Sequence, residues 1–142
     1  MRAMPRTVLL LLLLCGTSAA QAASGYYRSP AVRGDRVVFT AEGDLWLAPL
    51  SGGLARRLTS HPAEESQVAI SPDGRLLAFV AAYDGVPDVY AMPLAGGEPR
   101  RLSFDGGRVF VQGFHPDGSV VYATENVIGP TLSRVLRAVD TT

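Results

Sequence analysis

His61 and His115 are the two residues of this sequence with the widest catalytic repertoire. Ser66 and Ser71 follow the first of them, and aspartates lie near both, so a Ser-His-Asp hydrolase centre is the first chemistry to consider. Neither serine sits in a Gly-x-Ser-x-Gly elbow. Each histidine adjoins a proline, His61-Pro62 and His115-Pro116, where turns are expected. Both therefore read as solvent-facing turn residues, and no catalytic residue is assigned. Two histidines with distant carboxylates also lack the spacing of a zinc site. Asp84, Gly85 and Asp88 suggest a calcium loop, but the ligand spacing of an EF-hand is absent. Aspartates at loop entries are expected to bond local backbone N–H groups instead. No metal or other cofactor is expected. Cys15 is the only cysteine, so no intrachain disulfide is available.

The 142 residues carry 13 basic and 13 acidic side chains. Every basic one is Arg, and there is neither a basic excess nor a basic stripe, which sets nucleic-acid binding aside. The 15 Gly and 10 Pro point to many turns. Arg2 and Arg6, the short apolar run Val8 to Leu14, and Ala20-Gln21-Ala22 together have the layout of a cleaved secretory signal over residues 1–22. The run is too short to span a bilayer, which needs about 20 residues, so contact with a membrane is expected only during export. Cys15 would leave with this segment. Leu14 before it argues against lipidation, since such signals place a small residue there. The expected destination is outside the cytoplasm, in the periplasm.

Elements that would position any site come from an internal repeat, which decides architecture before anything else. Asp44 to Thr59 returns 44 residues later as Asp88 to Ser103, with the Asp, Pro-Leu, Gly-Gly and Arg-Arg-Leu positions identical and Trp46 matched by Tyr90. Ser71-Pro72-Asp73-Gly74 returns at the same spacing as His115-Pro116-Asp117-Gly118, so His115 replaces the Ser of the repeat. A period near 44 with four short strands per unit is that of a β-propeller blade. Within one unit, Ser66 to Ile70 reads as a first strand and Arg75 to Ala81 as a middle strand buried on both faces. Asp88 to Leu94 reads as a third strand, with Gly96-Gly97 turning into a fourth over Glu98 to Ser103. Arg100 and Arg101 would charge an outer edge against strand pairing. Trp46, Tyr90, Phe39 and Phe79, at matched positions, are expected to pack between blades.

The expected fold is all-β, an incomplete propeller over residues 23–142, with blades at about 31–65, 66–108 and 109–142. The third begins near Gln112, has a loop at Gly129-Pro130, and ends on a third strand, Arg134 to Val139. Even four blades need about 160 residues, so closure of the ring is expected to require the remainder of a longer polypeptide or an oligomer. Alone, the segment is expected to expose apolar blade faces and strand edges and to aggregate. Arg108 follows Asp105-Gly106-Gly107, in the loop leading into an innermost strand. Such loops face the central channel, where a guanidinium can hold a peptide carboxylate by a bidentate contact.

Ser71-Pro72-Asp73-Gly74-Arg75-Leu76-Leu77-Ala78-Phe79 with Asp88-Val89-Tyr90 resembles a propeller repeat found in TolB, in prolyl-oligopeptidase-like enzymes and in tricorn protease. Gly25-Tyr26-Tyr27-Arg28-Ser29-Pro30, Arg33-Gly34-Asp35-Arg36, Glu42-Gly43-Asp44-Leu45-Trp46-Leu47 and Arg56-Arg57-Leu58-Thr59-Ser60-His61 are similar, in that order, to the opening of tricorn protease homologues. The resemblance implies the first propeller of a large serine peptidase that degrades peptides, with the catalytic Ser and His in later domains. These blades would guide peptides and support assembly. The alternatives are a non-enzymatic TolB-like propeller that binds a protein partner, and the propeller of a prolyl-oligopeptidase-like peptidase. The third unit departs from the pattern in lacking an Asp-x-Tyr strand start.

Overall fold

The computed structural model describes residues 25–128 and 131–142. The expected signal segment, Cys15 and Gly129-Pro130 lie outside the described residues. Eleven strands form three antiparallel sheets, each paired in chain order. The first sheet holds β1 (Arg28–Arg33), β2 (Arg36–Ala41), β3 (Asp44–Pro49) and β4 (Arg56–Arg57). The second holds β5 (Glu65–Ile70), β6 (Leu76–Ala81), β7 (Asp88–Pro93) and β8 (Arg100–Arg101). The third holds β9 (Arg108–Phe114), β10 (Val120–Ile128) and β11 (Thr131–Val139). These are two four-stranded propeller blades and three strands of a third. The first strand of the second blade, β5, packs against both β1 and β9, so the first strands lie side by side.

The repeat units translate directly into strands. Ser71 to Gly74 closes a tight turn, with the Gly74 N–H donating to the Ser71 carbonyl at 2.9 Å, and His115 to Gly118 repeats it at 2.9 Å. Gly74 takes φ +71°, a left-handed conformation that glycine adopts at little cost. Some boundaries differ from the sequence reading. The first sheet starts at Arg28, which pairs with Thr40 across a bulge. The fourth strands shrink to two residues, since a hydroxyl and not the backbone meets the third strand's N–H, Thr59 at Leu45 and Ser103 at Val89, and in β8 Pro99 also has no N–H to extend the strand. Strand β9 begins at Arg108, four residues before Gln112.

The apolar run of β6 is sandwiched, as alternation demands. Leu77 and Phe79 face the first sheet and, with Tyr90, Met92 and Leu94 of their own blade, form one core with its Val38 and Leu45. Ala78 and Val80 face the third, with Val89, Leu102, Val109, Val120 and Tyr122. Phe79 and Tyr90 stack with ring centroids 6.1 Å apart. Their matched residues Phe39 and Trp46 lie half-buried on the opposite side of the first sheet and line a groove of about 530 Å³ with Tyr26 and Tyr27.

Each full blade also carries a polar clasp that the sequence reading did not foresee. Asp88 is fully buried and binds Arg101 and Ser103, residues 13 and 15 positions away, instead of local backbone. Asp84 takes the Tyr90 hydroxyl at 3.2 Å and Arg101 at 3.1 Å. In the first blade Asp44 binds Arg57 and the His61 N–H, and the Leu45 N–H donates to Thr59 at 2.8 Å. The second arginine of each Arg-Arg pair thus turns inward, while the first reaches the next blade: Arg56 to the Ala95 carbonyl, Arg100 to the Thr141 carbonyl. The expectation that both Arg100 and Arg101 serve as edge charges is corrected accordingly. In the third blade strand register puts Val135 and Arg137 where Asp88 and Tyr90 stand, which explains its missing Asp-x-Tyr.

Thr40 is fully buried, and among the described residues its hydroxyl has no hydrogen-bond partner. It pairs with Leu45 as Val80 pairs with Val89 in the next blade, so the repeat itself places an isosteric Val there. Thr40→Val is expected to stabilise the first blade by about 1 kcal/mol, the lower end of the cost of a buried unpaired hydroxyl. Slower amide exchange across β2–β3 checks this.

Candidate functional site

Arg108 is the first residue of β9, not part of the preceding loop, and its side chain is 78% exposed. That loop is anchored from below. Asp105, almost buried, accepts from the Tyr122 hydroxyl at 2.9 Å and faces the Arg137 Nε at 3.4 Å. Burial and the adjacent Asp105 carboxylate push the Tyr122 hydroxyl up to about 12, so it remains a donor at neutral pH. The loop has little freedom to relocate Arg108.

Glu125 pairs in register with Arg108 on one side and with Arg134 on the other. Its carboxylate is only 6% exposed and accepts from the Arg134 Nε at 3.1 Å and from Nη2 of the same side chain. The Arg108 Nη1 stands 3.8 Å from the second Glu125 oxygen, beyond hydrogen-bond range. Both guanidinium groups lie over Phe110, at 5.4 Å and 4.9 Å from the ring centroid, in cation–π range. Among the described residues Arg108 donates no hydrogen bond, and this long ion pair with Glu125 is its closest polar contact. The site is one held arginine and one uncommitted arginine around a buried acid and an aromatic floor. Sequence reading singled out Arg108 but missed Glu125, Phe110 and Arg134, because only strand register brings residues 17 and 26 positions away from Arg108 beside it.

The hydrolase constellation is not assembled. The Ser71 Oγ donates to Asp73 at 2.6 Å and accepts the Arg75 and Leu76 N–H groups at 3.1 and 2.9 Å. The Ser71 hydroxyl first, and then the Arg75 N–H, which also donates to Asp73 at 3.0 Å, hold the Asp73 carboxyl below its ordinary range. His115 contacts Asp117 at 2.9 Å inside its own turn. The Ser119 hydroxyl, the Ser119 N–H and His115, in that order, lower the Asp117 carboxyl to about 2. The His61 Nδ1 accepts the Ala63 N–H at 3.0 Å, and its ring packs on Tyr83 with centroids 4.3 Å apart. Both histidines complete turns.

Residues 24–142 match the family described as the tricorn protease N-terminal beta propeller domain. Tricorn protease homolog 1 of Streptomyces coelicolor is 43% identical over 101 residues, which is 70% of this chain and 10% of that protein. The chain thus spans about a tenth of the length of that relative. Among solved structures, the crystal structure of the tricorn protease superposes with a TM-score of 0.63 at 27% identity, covering 70% of this chain and 11% of that one. A putative TolB from Agrobacterium tumefaciens superposes with a TM-score of 0.64 at 22% identity, covering 80% of this chain and 43% of that one, a likeness of fold. With the blades, their repeat and this match in place, the chain belongs to the family of tricorn protease N-terminal β-propeller domains.

Proposed function

We propose that these blades form the start of the first propeller of an exported, tricorn-like serine peptidase, where they receive peptides and brace the remaining domains. Proteolysis would be carried out elsewhere in the longer polypeptide. Export to the periplasm rests on the charge, apolar run and small-residue pattern of residues 1–22. The observation that carries the peptide reading is the uncommitted guanidinium of Arg108. It projects from the first residue of β9, next to an anchored loop, with Arg134 already hydrogen-bonded to Glu125. A peptide carboxylate placed there gains a charge-assisted bond without costing Arg108 a hydrogen bond within the described residues.

Arg108→Ala in the full-length polypeptide is expected to weaken binding of peptides with a free C-terminus by about tenfold or more. That is the size of one hydrogen bond to a charged group. C-terminally amidated peptides should bind the variant and the wild type alike. Calorimetric titration with the two peptide sets checks this, and an equal loss for both would remove the carboxylate role.

A further inference from the structure

Glu65 is the first residue of β5 and fully buried, yet none of the cationic side chains among the described residues touches it. It sits across the junction of the first two blades. Its backbone N–H donates to the Gly43 carbonyl of the first blade at 2.8 Å. One carboxylate oxygen accepts the Leu45 N–H at 3.0 Å and the Thr59 hydroxyl, both from the first blade. The other accepts the Tyr83 hydroxyl of the second. A single acid therefore ties β3, the segment after β4, β5 and the turn after β6. The second junction has no counterpart, since position 109, one repeat on, is Val.

From this geometry we infer that Glu65 is a proton-linked latch between the first two blades, tightest when the carboxyl carries its proton. Burial first, and then the one charge beside it, favour that form. Asp44, next to Leu45, adds a negative charge, itself held by Arg57. Tyr83 is neutral, its hydroxyl held far above its ordinary range by burial and then by Glu65. Tyr90 behind Tyr83 is also raised by burial and by Asp84, and the His61 ring covers Tyr83 from the loop after β4. The neighbouring Glu64 is paired with Arg28 and does not face the junction carboxyl. Neutral donors alone stabilise an anion here, and a protonated Glu65 can give its own proton to a hydroxyl that turns to accept it.

The sign follows from linkage. Burial raises the Glu65 carboxyl above its usual value of 4.5, outweighing the Thr59, Tyr83 and Leu45 hydrogen bonds. Its stabilisation is therefore complete below the unfolded value and is lost as pH rises through the raised folded value. The first junction should loosen on the alkaline side of that window, which lies above 4.5. The second junction has no such acid.

Amide exchange of the full-length polypeptide, resolved by mass spectrometry and corrected for intrinsic rates, tests this at the β3 segment. Wild-type protection there should fall with rising pH by up to about tenfold per pH unit, the limit for one proton. Glu65→Gln should flatten the dependence, because the amide cannot ionise. Tyr83→Phe removes a donor to the anion and should move the wild-type midpoint to higher pH. Parallel pH profiles in wild type and Glu65→Gln would overturn the latch. Should Glu65→Gln fail to fold, an unchanged midpoint in Tyr83→Phe would overturn it equally, and a raised midpoint would support it.

Discussion

Asp88→Ala is expected to cost the second blade about 3 kcal/mol, the lower end of the penalty for breaking a buried ion pair by removing one partner. Asp88 is fully buried, and Arg101 is only 24% exposed. Removing the carboxylate takes the buried partner from a largely desolvated guanidinium, which keeps only Asp84 and the Ser103 carbonyl, and leaves the Ser103 hydroxyl without its acceptor. The same clasp fixes the two-residue strand β8, too short to hold by backbone bonds alone, against β7. Exchange of the Val89 and Leu102 amides, which bond across this junction at 2.9 and 2.7 Å, should accelerate together. Arg101→Ala should cost nearly as much, since it strands a buried anion. Arg100→Ala, one residue away, should change stability by about 0.5 kcal/mol or less, as exposed arginines do. The double variant Asp88→Ala with Arg101→Ala should cost less than the sum of the two single variants. Additive losses would show that the pair does not act as a unit.

Phe79→Ala is expected to cost about 3–5 kcal/mol, the range for emptying a buried aromatic site. Phe79 is fully buried and meets Tyr90 and Tyr83, with ring centroids at 6.1 and 6.3 Å. Its partners across the junction include Val38 and Leu45 of the first sheet. The cavity therefore opens between the first two blades, and exchange should accelerate in both β2–β3 and β6–β7. Val80→Ala lies on the other face of the same strand, against Val89, Val109 and Val120. It should loosen the second and third blades, cost less in proportion to the smaller side chain, and leave β2–β3 protected. If both variants loosened the same junction, the sandwiched placement of β6 would be wrong.

Much of the blade was legible because a repeat states its own period. The 44-residue recurrence of Asp, Pro-Leu, Gly-Gly and Arg-Arg-Leu marked the third and fourth strands, and the unbroken apolar run Leu76 to Val80 marked the strand buried on both faces. Arg108 was legible as an exposed cation, since it follows a Gly-Gly turn at the start of a unit. Its surroundings were not. Glu125 and Arg134 lie at no informative spacing from it, and their meeting depends on the antiparallel register of β9, β10 and β11. The aspartates misled for a related reason. Asp84 and Asp88 have the composition of a local turn, but their partners come from 6 to 17 residues along the chain.

The sequence by itself determined the architecture, because blade period, turn chemistry and alternating burial are local and repeat along the chain. The tertiary structure alone decided which charges are spent and which are free. In the Arg-Arg pairs one guanidinium clasps a buried aspartate and its neighbour crosses to the next blade. Of two arginines beside Phe110, Arg134 is hydrogen-bonded to Glu125, whereas Arg108 stands 3.8 Å from it and stays exposed. An acid without a cation, Glu65, closes the first junction. Desolvation and pairing depend on what lies within a few ångströms in space, and blades stacked about a ring bring together residues that no local pattern connects.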